Sequence, residues 1–341
     1  MKRLFALILL LSLLLCGCQA GQLGRQKQYT ATFLTLFDTV TSVVGFAESE
    51  EAFQTQTQKI HDELEYYHRL FDIYEDHEGL NNLKTVNDQA GIAPVKVENA
   101  IIDLLLSCKE YYALTDGKVN VAMGSVLHLW HIARDQGIND PVNARLPSMD
   151  ALKKAAEHTA IEAIVIDEAA STVYISDPET QLDVGAIAKG WAAQRVAENA
   201  PEGMLISVGG NVCATGPKNA DGTPWVIGVQ NYDGSDDYLH TVYVTGGSLV
   251  TSGDYQRLYY VDGKPYHHII DPDTLMPATY WRSVTIVCED SGLADALSTA
   301  LFLLPLEEGK KLVESCGADA LWIDATGAEF MTPGFEQIIR T

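Results

Sequence analysis

The chain has 341 residues, 47% of them hydrophobic, and carries 46 acids against 23 lysines and arginines, a net charge of −23. That apolar share supports a buried core in one large domain or two small ones. Such an acidic balance argues against nucleic acid as a partner, whose phosphates it would repel, and against lying flat on an anionic bilayer.

Residues 1–17 read as a lipoprotein signal peptide. Lys2 and Arg3 are its positive start, and the apolar run Leu4 to Leu15 falls short of the roughly 20 residues a membrane span needs. Leu15-Cys16-Gly17-Cys18 resembles a bacterial lipobox, with Cys18 as the lipidated residue; a plain signal peptide with Cys18 unmodified is the alternative. Residues 18–29, poor in apolar groups, read as the lipidated N-terminus and a tether, and residues 30–341 as one domain. The expected location is the extracytoplasmic face of the cell membrane. Cys108, Cys213, Cys288 and Cys316 are widely spaced and form no CxxC pair, which disfavours a zinc or redox motif.

From Thr30 to Phe46 the alternation predicts strands, broken by Phe37-Asp38-Thr39. Ala52 to Phe71 has helical spacing, and Leu80 to Asn87 reads as loop and short helix. Asn99 is placed to cap a helix over Ala100–Thr115 that Asp116-Gly117 ends. Val119–Val121 is a short extended piece. Val126–Ala133 begins a helix carrying His128 and His131, for which no acidic partner stands nearby in sequence. Met149–His158 is helical, and 163–167 with 172–175 form a hairpin. Beyond the central motif, strands are expected at 204–208, 225–230, 239–244, 248–251 and 283–287. Residues 257–261 and 266–270 pair around Asp262-Gly263. Ser291–Leu304 is a helix and Ala320–Ile323 a late strand. Strands and helices intermingle without strict βα alternation, so the fold class is α+β.

Chemistry gathers in four clusters. In Asp183-Val184-Gly185-Ala186-Ile187-Ala188-Lys189-Gly190, an acid ends an extended run, two glycines bracket a turn, and a helix follows. Small residues allow close backbone approach, a helix N-terminus accepts phosphate, and Lys189 adds a charge. An ordinary strand–turn–helix junction with a solvated lysine is the competing account. Ser207-Val208-Gly209-Gly210-Asn211 ends a strand in paired glycines, which on its own reads as a bulge or tight turn. Thr251-Ser252-Gly253-Asp254-Tyr255 offers hydroxyls beside a glycine, and no GxSxG elbow surrounds Ser252. After it come His267 and His268, next to an Asp-Pro turn; strand alternation lets only one of them enter a site. Ala294-Asp295-Ala296-Leu297-Ser298-Thr299-Ala300 sets an acid and a hydroxyl four apart on one helical face among apolar neighbours. A lone buried acid costs several kcal/mol, on the order reported for unpaired buried charge, so a hard cation is its expected partner.

Together these clusters resemble the ApbE-type FAD:protein FMN transferases over about Phe33 to Ile338. The octet at 183–190, then Ser207–Asn211, Thr251–Tyr255, His268-Ile269-Ile270-Asp271-Pro272 and Ala294–Ala300 follow in family order. The resemblance implies a single α+β domain with mixed or antiparallel sheets and packed helices, holding FAD in a central cleft. It implies Mg2+ (Mn2+ as alternative) on Asp295, Thr299 and the Ala186 carbonyl. FAD would be held at or near Phe37, Tyr74, Lys118, Val119, Asn120, Asp183, Lys189, Ser252 and His268, with His268 and Asp295 catalytic. The enzyme would place FMN on a threonine or serine of an acceptor flavoprotein, a subunit of a membrane redox complex or an extracytoplasmic reductase, and release AMP. Departures are Phe37-Asp38 where the family has Met-Gly, Asn120 where Asp is frequent, and Leu275 where glycine is expected after Thr274. An FAD pyrophosphatase using the same site, and an FAD-binding lipoprotein without turnover, are the alternatives.

Overall fold

Alternating, β-branched segments drawn from the whole length of the chain pair into one eight-stranded antiparallel sheet. Its strands are β1 (Lys27–Phe33), β2 (Thr41–Ala47), β3 (Leu205–Val208), β4 (Asn211–Ala214), β5 (Gly247–Gly253), β6 (Ser283–Cys288), β7 (Asp319–Ile323) and β8 (Glu329–Met331). In space they stand in that same order. The computed structural model describes residues 27–233, 235 and 237–341. The expected signal peptide, the lipid on Cys18 and most of the tether lie outside these residues. Lys27 to Tyr29, assigned to the tether, belong to β1 and pair with Ala47 to Gly45 of β2.

Because the sheet is a meander, every other element except the C-terminal helix Pro333–Ile338 is an excursion between sheet neighbours. The longest, from β2 to β3, contains α1 (Glu50–Phe71), the helix Asn99–Leu114, α2 (Gly124–Asn139), the hairpin Ile164–Asp167/Thr172–Ile175 and α3 (Ala188–Asn199). Between β4 and β5 runs the hairpin Trp225–Gln230/Tyr238–Val244. Between β5 and β6 lies the short hairpin Tyr259–Val261/Lys264–Tyr266 and the histidine segment after it. Between β6 and β7 come α4 (Ser291–Phe302) and the helix Leu306–Ser315. The expectation of a single α+β domain is met, and the ladders are antiparallel; the parallel contact among the described residues is an isolated bridge, Met123 to Gln181.

Sheet alternation sorts the layers. On one face, Val250, Val284 and Ile286 pack with Ala294, Leu297 and Leu301 of α4, while Val43, Ile206 and Val208 pack with α1 and α3. On the other face, Leu205, Val212 and Leu249 meet Trp225, Ile227 and Val242 of the long hairpin and Phe335 of the C-terminal helix. Helix α4 is apolar nearly all round because it is covered by the sheet below and α3 beside it.

Several local expectations are corrected. Asn99 is not the cap: the helix starts after Glu98, and the Asn99 side chain accepts from Ser171 Oγ at 3.2 Å. No regular strand precedes the octet; its extended run is held by the Asn87 amide, which accepts from Leu182 N (2.7 Å) and donates to Leu182 O (3.0 Å). The histidines at 267 and 268 follow the strand Lys264–Tyr266 rather than lying in one. Asp262 and Gly263 do form the expected two-residue turn, with φ of 51° and 76°.

Candidate active site

Helices α3 and α4 cross at Gly190, and the crossing defines the site. A Cβ on Gly190 would lie 2.3 Å from Ser291 O and 2.5 Å from Asp295 Cβ. The expectation that Gly190 closes a turn is therefore corrected: it sits inside the first turn of α3 and serves close helix approach. The contact has a polar consequence. Ile187, the residue before α3, has no side chain able to cap it. Instead Asp295 Oδ2 accepts from Gly190 N at 2.8 Å, so the acid caps α3 from a different helix. Asn211 Nδ2 donates to the same oxygen at 2.8 Å. Asp295 is buried, and burial raises its carboxyl above the usual range, opposed first by the Lys189 charge and then by these two hydrogen bonds.

In an uninterrupted helix the Gly190 N–H would serve the Ala186 carbonyl. Given to Asp295, it leaves Ala186 O without a hydrogen bond among the described residues. Asp295 Oδ1 and Thr299 Oγ1 also lack hydrogen-bond partners there. A main-chain carbonyl, a carboxylate oxygen and a hydroxyl thus remain uncommitted around one helix crossing, a hard-oxygen set that fits a divalent cation keeping waters in its shell. The one group of three clustered acid and histidine ligands among the described residues, His61, Asp62 and Glu65, lies elsewhere on α1 and is mostly exposed.

Below Asp295 the hydroxyls form a chain. Ser298 Oγ donates to Asp295 O (2.9 Å) and so accepts from Ser252 Oγ (2.8 Å), which fixes β5 against α4. Gly209 and Gly210, at φ 59° and 91°, make the two-residue turn joining β3 to β4, as the plain reading of that motif expects. Gly209 also backs onto Thr39, whose Oγ1 would be 2.7 Å from a Cβ there. On the opposite face of β5, a cleft of about 260 Å3 is lined by this turn with Thr251, Gln230 and Tyr238.

A second group of expected residues gathers at a basic rim. Asp183 accepts from Gly185 N at 2.9 Å and stands 3.9 Å from His131 Nε2. Tyr74 hydroxyl meets His131 Nδ1 at 3.2 Å. His131, set aside in the sequence for want of an acidic partner, therefore has one from a distant segment. His268 lines a narrow hollow with His131, Arg134 and Arg257. Its Nδ1 is buried without a hydrogen-bond partner, and burial, then the charges of Arg257, His267, Lys189 and Arg134, hold its pKa down at about 3. His267 is structural: Nε2 donates to Ala278 O (2.9 Å), Nδ1 accepts from Ile269 N (3.2 Å), and the ring packs edge-on against Phe302. Arg134 and Arg257 belong to no motif, and no local pattern marks them.

The remaining expected residues have side chains engaged in structure. Lys118 Nζ binds Asp271 Oδ1 (3.1 Å) and Asp273 Oδ2 (2.7 Å). Val119 is buried. Asn120 donates to Thr159 O and accepts from Ala122 N, both at 2.9 Å, so the departure from Asp serves a loop rather than a free polar group. Phe37 N donates to His68 Nδ1 (3.2 Å) and its ring meets the His68 ring edge-on. The other two departures keep the backbone that glycine would adopt: Asp38 has φ 52° and Leu275 φ 59°. The turn at Leu275 thus takes a left-handed backbone despite its side chain. Hydrogen bonds from Leu275 N to Asp271 O, from Asp271 N to Met276 O and from Trp130 Nε1 to Leu275 O hold it.

A sequence profile of the ApbE family matches residues 35–322, and the chain belongs to that family. An FAD:protein FMN transferase of Treponema pallidum is 36% identical over 260 residues, covering 71% of this chain and 70% of the relative. A Klebsiella pneumoniae protein of the same name is 33% identical over 230 residues, covering 66% and 68%. Among solved structures, the ApbE protein of Thermotoga maritima superposes with a TM-score of 0.81 at 30% identity, over 92% of this chain and 100% of that one.

Proposed function

We propose that the protein is a Mg2+-dependent FAD:protein FMN transferase. Family membership and the named activity of the Treponema and Klebsiella relatives support the flavin transfer. The observation that supports the metal in this chain is that, with the Gly190 N–H given to Asp295 Oδ2, the Ala186 carbonyl has no hydrogen-bond partner among the described residues, and neither do Asp295 Oδ1 and Thr299 Oγ1. These three would hold the cation, which when bound neutralises charge on diphosphate oxygens. Mn2+, which also favours oxygen ligands, is the alternative ion.

The reaction asks four things of the chain. The hydroxyl oxygen of an acceptor threonine or serine attacks the FMN phosphorus and forms the phosphoester. The anhydride P–O bond breaks, its electron pair stays on the adenylate oxygen, and AMP leaves. The hydroxyl proton must go to a base, and Lys189 with its neighbours must orient the dinucleotide. His268 is the base by position: it is neutral, its Nδ1 is uncommitted, and His267 has no free nitrogen. A pKa near 3, set first by burial and then by the facing cations, makes it a weak base in the unliganded chain. Diphosphate oxygens beside those cations offset their charge and raise its basicity, so the substrate itself tunes the base.

The acceptor we assign is a flavin-carrying subunit of a membrane redox complex or an extracytoplasmic reductase. It is met at the extracytoplasmic face by a domain anchored through lipid on Cys18, a reading that rests on the Leu15–Cys18 motif.

The test mixes purified protein, FAD, Mg2+ and candidate acceptor domains and follows acceptor mass. A gain of one FMN with equimolar AMP is expected. Free FMN without acceptor modification would instead make the protein a pyrophosphatase. Asp295→Asn, which keeps an oxygen for Gly190 N and Asn211, should lower transfer at least about a hundredfold; wild-type transfer by a folded variant removes Asp295 from the metal site.

A further inference from the structure

Two of the cations at the rim have no carboxylate partner. The chain has twice as many acids as lysines and arginines, yet among the described residues Arg257 makes no ion pair or side-chain hydrogen bond. Lys189 Nζ meets only the Gly185 carbonyl at 3.2 Å. Arg134, next to them, has just the exposed Asp135 at 3.5 Å. Arg257 and Arg134 come from separate excursions, one following β5 and one on α2, and converge on the hollow they share with His131 and His268. The Arg257 backbone is held at φ 45°, a left-handed conformation uncommon for a residue with a Cβ. Trp130, Tyr259 and Tyr266 form the apolar side of the same hollow.

Like charges drawn together beside a buried, partnerless imidazole nitrogen cost free energy unless an anion joins them. The anion must be multiply charged and rich in acceptor oxygens, since the fork of an arginine matches phosphate with two parallel N–H bonds. We propose that Arg257, supported by Arg134, is a phosphate-binding residue that grips the diphosphate of the dinucleotide through oxygens other than those facing Asp295. This deepens the transferase reading and rests on it for the identity of the ligand. The diphosphate is then bracketed, with oxygen ligands and their cation on one side and guanidinium groups on the other. Its charge stays neutralised as negative charge builds on the departing adenylate.

The experiment measures binding as well as turnover. Wild type, Arg257→Gln, Arg257→Lys and Arg134→Gln are titrated calorimetrically with inorganic pyrophosphate, FAD and riboflavin, in chelator and in Mg2+. Loss of a charge-assisted phosphate contact is expected to weaken pyrophosphate and FAD by about tenfold to a hundredfold in Arg257→Gln, even in chelator. Riboflavin, which has no phosphate, is expected to bind unchanged, and Arg257→Lys to recover part of the loss. Unaltered pyrophosphate and FAD affinity in a folded Arg257→Gln, or an equal loss for riboflavin, overturns the proposal. Should the wild type bind pyrophosphate through Arg257 yet transfer no FMN, the transferase reading fails and the anion site stands.

Discussion

The helix crossing at Gly190 and the basic rim at His268 solve opposite problems. At the crossing, each approach is fixed: Gly190 against Ser291 and Asp295, and the Asp295 carboxylate between a backbone N–H and the Asn211 amide. At the rim, side chains from several excursions meet with few bonds among them, and His268 Nδ1 has none. The contrast teaches that rigidity and ligand affinity are divided here. The part that carries the proposed metal ligands is locked by packing, whereas the part proposed to meet the charged substrate keeps more of its hydrogen-bonding capacity uncommitted.

Breaking the locked half should have the largest effect. Gly190→Ala drives a methyl into backbone, which cannot give way like a flexible side chain, so a loss of about 3 kcal/mol or more is expected, on the scale of overpacking and strain combined. Thermal unfolding measures it, and a wild-type melting temperature would show that the helices can part freely.

The next effect separates capping from chemistry. Because Asp295 caps α3, Asp295→Ala should cost about 1–3 kcal/mol by leaving the Gly190 and Asn211 donors unpaired, while Asp295→Asn should unfold close to wild type and still lose transfer. Equal stability of the two variants would deny the cap.

At the rim the expected effect is a change in pH dependence. His268 falls from its ordinary 6.5 to about 3 in the folded chain, so between these values the unfolded state binds more protons and stability rises with pH. His268→Gln should flatten that part of the profile, measured as unfolding free energy between about pH 4 and pH 7. His131 and His267, also depressed by burial, retain the same sign in the variant. An unchanged slope would mean that His268 protonates freely in the folded state.

The smallest effect comes from the loop beside the Gly209 turn. Asp38→Gly should stabilise by about 0.5–1 kcal/mol, since glycine accepts φ 52° without strain and the gain outweighs the looser unfolded chain. Destabilisation would indicate that the Asp38 carboxylate holds the loop.

The locked half was legible in the sequence because its residues are consecutive or helically spaced: the 183–190 octet, and Asp295 with Thr299. What escaped was the reason for Gly190, since only the crossing shows that it serves helix approach rather than a turn. The rim was half legible. Tyr74, Asp183, Lys189 and His268 were marked by the family resemblance, but His131 meets Tyr74 and Asp183 from more than fifty residues away, and Arg134 and Arg257 reach one hollow from separate excursions, relations no local pattern encodes. Element boundaries slipped where a side chain replaced a backbone partner, as when Asn87 holds the extended run before the octet without any strand. Left-handed Asp38 and Leu275 were invisible for a related reason: a glycine signature is absent although the glycine-like backbone is kept.

The sheet is laid down in chain order, with one great detour between β2 and β3. Asp183, Ala186 and Lys189 travel in that detour, whereas Asn211, His268 and Asp295 come after it. The octet lies at the far end of that detour, where α3 leads directly into β3, so the proposed metal ligands are held on the β3 side of it, while Phe37 and Tyr74 stand on the side of the first hairpin. A chain that has not yet paired β2 with β3 is therefore expected to keep the proposed metal ligands together but to lack the residues that the first hairpin and α1 bring to the proposed site, so activity is expected to wait on this long-range pairing.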